Sequence, residues 1–336
     1  VPSEVSRVKV KLALVCALLV PAAVASAPAS ERAAPDLCAV TSIGDVSAPR
    51  IAVLSAFPAE LAPLVAAAEI DGTVDVAGRQ YYTGQLDGVR VVLGLLGIGM
   101  VNARTIAESV VATFDPAAII VSGVAGSSHY IGDVVLAVRW IERDRRRVLR
   151  ANRTLLALAE RGAQALPVPF QQCTPVPPTN PSAPIVCLPH PAEVVFEHGG
   201  ESGDDFTVPF PCTPGAGEIF GCELPVAMAL EPSALIAPDV VDMESAAVAR
   251  IAAENRVPFL AVRGVSDGAG DPLGDRGFPA QFFDYYRLAA FNAAVVTRSV
   301  VGELATLAQS ASGTELCHLL SRHRWRRAAL AVQVAP

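Results

Sequence analysis

Three carboxylic acids stand where apolar segments of this chain begin or end: Glu60 in "AVLSAFPAE", Glu244 in "DVVDMESAAVA" and Asp267 in "PFLAVRGVSD". Asp267 is expected at the carboxyl end of a strand over 257–265, the edge at which open α/β sheets take their ligands. A carboxyl group kept neutral there, by burial or by a hydrogen bond from Ser266, can give a proton to a leaving group. Glu244 falls just inside a helix whose face is Ala246, Ala247, Ala249 and Ile251. Its carboxylate can accept hydrogen bonds from two vicinal hydroxyls of a sugar. Glu60 follows the first strand by a few residues and so reaches the same rim. One carboxyl to protonate a leaving group and another to activate water are what glycosidic bond cleavage requires. Taken alone, Asp267 also reads as a turn or helix-cap residue and Glu244 as a first-turn acid favoured by the helix dipole.

These acids need a scaffold, and the chain from Arg50 onward supplies alternating elements. "RIAVLSA" reads as a buried strand, "AELAPLVAAAEI" as a helix, and "RQYYTGQLDGVRVVLGLLG" as a hairpin turning at Asp87-Gly88. "VNARTIAESVVATF" follows as a helix and "PAAIIVSGVAG" as a strand of continuous apolar type. Strands buried on both faces and separated by helices predict an α/β fold, a three-layer α/β/α sandwich around a central mixed, mainly parallel sheet. The charge run Glu142–Arg150 predicts a solvated helix start, continued by "LLALAERGAQAL". Pro- and Cys-rich stretches near 166–192 and 208–238 are expected as insertions on the rim of one domain, 50–308, closed by an amphipathic helix over 278–308. The glycines of Gly97-Ile98-Gly99 and Gly123-Val124-Ala125-Gly126 offer backbone that a ligand can approach closely.

With 52% hydrophobic and 18% charged residues in 336, the chain can bury a sizeable core. A formal charge of -7 leaves no basic face for nucleic acid and favours small-molecule partners. Arg7, Lys9 and Lys11 precede an apolar run from Leu12 to Val20 and small residues at Ala25 and Ala27, the pattern of a signal peptide over 1–27. The run is too short for a membrane anchor. Its removal predicts an exported product, periplasmic or secreted. That product is more acidic, at -9, because Glu4 against Arg7, Lys9 and Lys11 leaves the leader at +2. Residues 28–49 read as a linker and 309–336 as a basic C-terminal tail. Without Cys16 six cysteines remain, an even number suited to an oxidising compartment. Cys173 with Cys187 and Cys212 with Cys222 are the expected pairs, since each brackets a short Pro-rich loop. No Cys or His cluster has metal spacing, and no metal or organic cofactor is called for.

Six stretches in order resemble the nucleoside phosphorylase superfamily, and within it the 5'-methylthioadenosine/S-adenosylhomocysteine nucleosidases. They are "IAVLSAFPAE", "GIGMVNA", "VSGVAGSSHYIGDVV", "SGDDF", "VDMESAAVA" and "PFLAVRGVSD". The resemblance covers roughly residues 50 to 308. It implies that Asp267, assisted by Ser266, protonates purine N7, while Phe206 stacks on the base and the Thr207 backbone reads its edge. Glu244 would hold ribose hydroxyls, Met243 would pack on the sugar, and Glu60 with Arg263 would position and activate water. Gly97 and Gly126 would line the substrate pocket, with Gly97 where the family usually has Ser. The resemblance further implies a homodimer and hydrolysis of a purine nucleoside to free base and sugar. Two alternatives remain open: a phosphate-dependent phosphorylase, although Pro58 and Glu60 stand where such enzymes need a basic phosphate ligand, and a non-catalytic nucleoside-binding or storage protein of the same fold.

Overall fold

Strand β1 (Ile51–Ser55) is buried at every residue because it lies mid-sheet, parallel to β4 (Val89–Leu95) on one side and β5 (Ala118–Tyr130) on the other. Its side chains alternate between two cores, as strand geometry requires. Ile51 and Val53 join the core packed by helices α1 (Pro58–Ala67), α3 (Arg153–Gly162) and α5 (Ala280–Ser310). Ala52 and Leu54 join the core packed by α2 (Met100–Phe114) and α4 (Ser245–Asn255). A strand with helices on both faces must be apolar throughout, which is why "IAVLS" shows no alternation.

The computed structural model describes residues 50–76, 78–143, 145–204, 239–275 and 277–310. The expected leader, linker, most of the tail, the whole insertion near 208–238, Phe206, Thr207 and the Cys212–Cys222 pair lie outside the described residues.

Strands β2 (Glu69–Val76) and β3 (Arg79–Leu86) extend the sheet beyond β4 as an antiparallel meander. On the other side of β5 come β12 (Phe259–Ala269), β6 (Val134–Glu142), β10 (Val194–Ser202) and β11 (Val240–Asp242), with β7 (Arg145–Arg150) paired to β6. Strand β11 then pairs back onto β5, through Val240↔Ser127 and Val241↔Gly126. Strands β5, β12, β6, β10 and β11 therefore close into a ring. Closure sets Gly126 opposite both Val241 and Asp267 and brings "VDMES" beside "GVSD".

The sheet is mixed, as expected, but not mainly parallel. Among the described strands, β2/β3, β3/β4, β6/β7, β6/β12 and β5/β11 are antiparallel, matching in number the parallel pairs β1/β4, β1/β5, β5/β12, β6/β10 and β10/β11. Short connections such as Asp87-Gly88 permit only antiparallel neighbours.

Residues 142–150 are not the start of a helix. They form the end of β6, a turn and β7, while α3 begins only at Arg153, where the Asn152 side chain accepts from the Thr154 and Leu155 amides. Nor is Glu142 solvated, for it is buried against Arg104 and Arg250. The insertion near 166–192 carries a two-stranded hairpin, β8 (Cys173–Pro175) and β9 (Ile185–Cys187), closed by the expected Cys173–Cys187 disulfide. Helix α5 is long and apolar enough to cross a membrane by length and composition, yet 78% of its apolar window is buried inside the fold.

Candidate active site

The site begins with Glu60, placed in the first turn of α1 by Pro58 at the helix start. Its carboxylate points back under β1, where Oε2 accepts from the Ala56 amide at 2.7 Å and Oε1 from the Val124 amide at 2.7 Å. Arg263, on β12, is fully buried, and its guanidinium faces three acids. Nε lies 2.7 Å from Asp242 Oδ2 and donates to Ser245 Oγ at 3.1 Å, and Nη2 reaches Glu244 Oε2 at 3.2 Å. Nη1 has no partner among the described residues. It turns toward Gly123, where an added Cβ would fall 2.4 Å from both Nη1 and Glu60 Oε1. Gly123 thus keeps open the place where donor and carboxylate converge.

Glu244 is the N-cap residue of α4 and lies just before the helix, not within it. Its side chain does not cap α4. Oε1 instead accepts at 3.0 Å from the amide of Gly99, the N-cap of α2, and Asp204 accepts from the next amide, Met100, at 2.6 Å. The positive end of α2 favours both acids. Asp242 is the residue that sequence reasoning missed. Its Oδ1 accepts from the Ser202 hydroxyl and, at 3.2 Å, from the Glu244 and Ser245 amides, so it caps α4 while its other oxygen fixes Arg263. The signal was present in "DVVDMES", where Asp242 stands two residues before Glu244 at the same break in an apolar run.

One guanidinium cannot balance three buried carboxyl groups if all are ionised, so the neutral form of some of them is favoured. Burial raises Glu60 to about 7, partly opposed by Arg263 and by the amides of Val124, Ala56 and Phe57. Burial raises Glu244 to about 8, with Arg263 opposing and Asp242 and Glu60 adding to the rise. Glu60 therefore changes charge near neutral pH, where a general base is most effective.

Asp267 sits within β12, whose pairing continues past 265 to Ala269 through register shifts on either side of Asp267. It faces Gly126, where a Cβ would lie 2.5 Å from its Oδ2, so only glycine allows the carboxyl to lie against β5. Burial lifts its pKa above the usual carboxylate range. Ser266 acts in the opposite direction from the expectation: its hydroxyl donates to Oδ1 at 2.8 Å, which favours the charged form. Burial, not Ser266, favours the proton on Asp267.

Met243 lies against an apolar group of Phe57, Ile98, Phe278, Phe282 and Tyr286, with Phe282 stacked on Tyr286 at 5.7 Å. Gly97 takes φ 79 and lies beside the Asn102 side chain. The structure thus brings together Glu60, Arg263, Glu244 and Met243, and holds Asp267, Ser266 and Gly126 at the adjoining end of β5 and β12. Among the described residues no group of three His, Cys, Asp or Glu side chains has metal-binding geometry.

A family model described as "Phosphorylase superfamily" matches residues 50–181 and 233–301. The chain belongs to the phosphorylase superfamily. Among relatives, an uncharacterized protein of Mycobacterium tuberculosis is 33% identical over 190 residues, 51% of this chain and 75% of that protein. A 5'-methylthioadenosine/S-adenosylhomocysteine nucleosidase of Psychromonas ingrahamii is 27% identical over 263 residues, 76% of this chain and 99% of the relative. Solved structures share the fold, and two of them illustrate it. They are a 5'-methylthioadenosine/S-adenosylhomocysteine nucleosidase of Colwellia psychrerythraea in complex with adenine and a futalosine hydrolase of Helicobacter pylori. Each is 20% identical with a TM-score of 0.54 over 76% of this chain, covering 96% and 98% of the respective structures.

Proposed function

We propose that this superfamily member is a purine nucleosidase, an N-glycosyl hydrolase that cleaves methylthioadenosine- or adenosylhomocysteine-like nucleosides to free base and sugar. The observation that carries the reading is the meeting of Glu60 Oε1 with the unpartnered Nη1 of Arg263 at Gly123. A carboxylate that titrates near neutrality, beside a free buried donor, can orient a water and take its proton. Asp267, with its raised pKa, supplies the proton that lets a purine leave as a neutral base. Glu244 accepts the ribose hydroxyls, and its charge stabilises the oxocarbenium-like transition state when it is ionised. The apolar wall of Met243, Phe57, Phe278 and Phe282 favours a thioether substituent over a free 5'-hydroxyl.

Hydrolysis is favoured over phosphorolysis because Arg263 already faces Asp242, Glu244 and Glu60, so an incoming phosphate would have to compete with three acids for this one guanidinium. Phe206 and Thr207 complete the base pocket in this proposal. A homodimer and export to the periplasm or medium also belong to it. The Cys173–Cys187 bridge accords with an oxidising compartment. The two helical layers, α1, α3 and α5 against α2 and α4, support the three-layer description of the fold away from the strand ring.

The test is incubation with methylthioadenosine, with and without inorganic phosphate. Free base and reducing sugar released at a phosphate-independent rate are expected. Release only with phosphate would make the protein a phosphorylase, and tight binding without release a storage or binding protein.

A further inference from the structure

The end of β12 that carries Asp267 is not held by the sheet alone. Pairing to β5 shifts register between Val265 and Asp267 and again between Asp267 and Ala269. An irregular strand end is free to vary its twist, and with it the aim of the side chain it carries. At Gly268 the backbone presses on β5 so closely that a Cβ would lie 2.3 Å from the His129 carbonyl oxygen. The Gly268 amide donates instead to Gln281 Oε1 at 2.9 Å. Gln281 is 3% exposed and stands at the start of α5. Its Nε2 donates at 2.9 Å to the Asp275 carbonyl, so both ends of one buried amide are used. The loop it reaches is itself built around Asp271, which accepts from the Leu273 and Asp275 amides and from the Tyr285 hydroxyl at 2.5 Å.

We propose that Gln281 is a positioning residue for the leaving-group acid, locking the backbone after Asp267 to the 271–275 loop through a side-chain amide that accepts from one and donates to the other. This rests on the reading of Asp267 given above. Gln281 touches no reacting atom; it restricts the peptide that follows Asp267 and so fixes the direction of that carboxyl against Gly126. The charged and titratable groups on the packed elements are Asp271 and Asp275 in the loop, Asp284 and Tyr285 on α5, and His129 on β5, whose Nε2 lies 2.8 Å from Glu197. Gln281 adds no charge to this acidic surrounding, which is the reason an amide serves where a carboxylate of the same shape would not.

Two variants test it. Gln281→Met removes both hydrogen bonds. It should lower kcat for release of adenine from methylthioadenosine by between about 10- and 100-fold, the scale of a small misplacement of a reacting group, with KM within about threefold. Gln281→Glu keeps the acceptor for Gly268 but sets a carboxylate oxygen against the Asp275 carbonyl. Protonation restores a donor there, so the deficit of Gln281→Glu relative to the parent should shrink as pH falls toward the ordinary glutamate value of about 4.3, and from higher pH because burial and the neighbouring acids favour the neutral carboxyl. If Gln281→Met does not fold, the pH dependence of Gln281→Glu decides alone. Parental kcat in both variants, or a Gln281→Glu deficit that does not change with pH, would overturn the inference. An inactive parent chain would instead refute the nucleosidase reading on which it stands.

Discussion

Replacing Gly123 by alanine perturbs the site without altering a titratable group. The added methyl would fall 2.4 Å from Arg263 Nη1 and 2.4 Å from Glu60 Oε1. Ordinary contact needs about 3.5 Å, so each group must withdraw by roughly 1 Å. Neither can do so freely. Glu60 is held by two backbone amides, one from Val124, the residue next to the substitution, and Arg263 is fully buried among acids. Overpacking should cost about 1–3 kcal/mol of stability, and a 1 Å displacement of the water-activating pair should lower kcat by about 100-fold. Urea unfolding and steady-state release of free base from methylthioadenosine measure the two effects. Turnover within about threefold of the parent would refute the argument that Glu60 and Arg263 act together at this point.

Three further predictions follow from the same geometry. Because Glu60 must be ionised to accept a proton and titrates at about 7, turnover should rise with pH through that value, and Glu60→Gln should abolish this limb in a pH–rate profile. The same raised values predict the opposite trend in stability. The folded chain holds protons on Glu60 and Glu244 that the unfolded chain releases at ordinary carboxylate pH. Their contribution is therefore fully present below about pH 4.5 and is lost as pH rises through about 7 to 8, so Tm measured between about pH 5 and pH 9 should decline along this term in the parent and less in Glu60→Gln. Arg263→Met leaves Asp242, Glu244 and Glu60 without a buried counter-charge and should cost about 3–5 kcal/mol in urea unfolding; a loss under about 1 kcal/mol would show that the acids are not held by the guanidinium.

Much of this site was legible in the chain because its acids sit where continuous apolar runs break. Glu60 and Glu244 interrupt segments that are otherwise core, and burial of such groups requires partners, which the structure supplies as Arg263 and backbone amides. The strand "IAVLS", the hairpin at Asp87-Gly88 and helix α5 followed from periodicity and turn chemistry. Segment 142–150 differs from its expected solvated helix start because charge alone does not show which way a side chain faces. In the fold Glu142 faces inward onto Arg104 and Arg250, and Leu149 is buried in β7. The ring closure was not legible, since β11 is only three residues long and its pairing to β5 joins residues more than a hundred apart in the chain. The direction of the Ser266 effect is not legible in sequence, because a hydroxyl can donate to a carboxylate or accept from a carboxyl; here it donates to Asp267 Oδ1. The positive φ of Gly99 at the start of α2, where its amide donates to Glu244, is likewise a conformation that a Gly-rich motif permits without specifying.

Phosphate-free release of adenine from methylthioadenosine by Asp267→Asn, measured beside the parent, decides whether Asp267 protonates the departing purine. If it does, kcat falls by at least about 100-fold with substrate binding retained. Unchanged turnover in Asp267→Asn would remove Asp267 from the role of leaving-group acid.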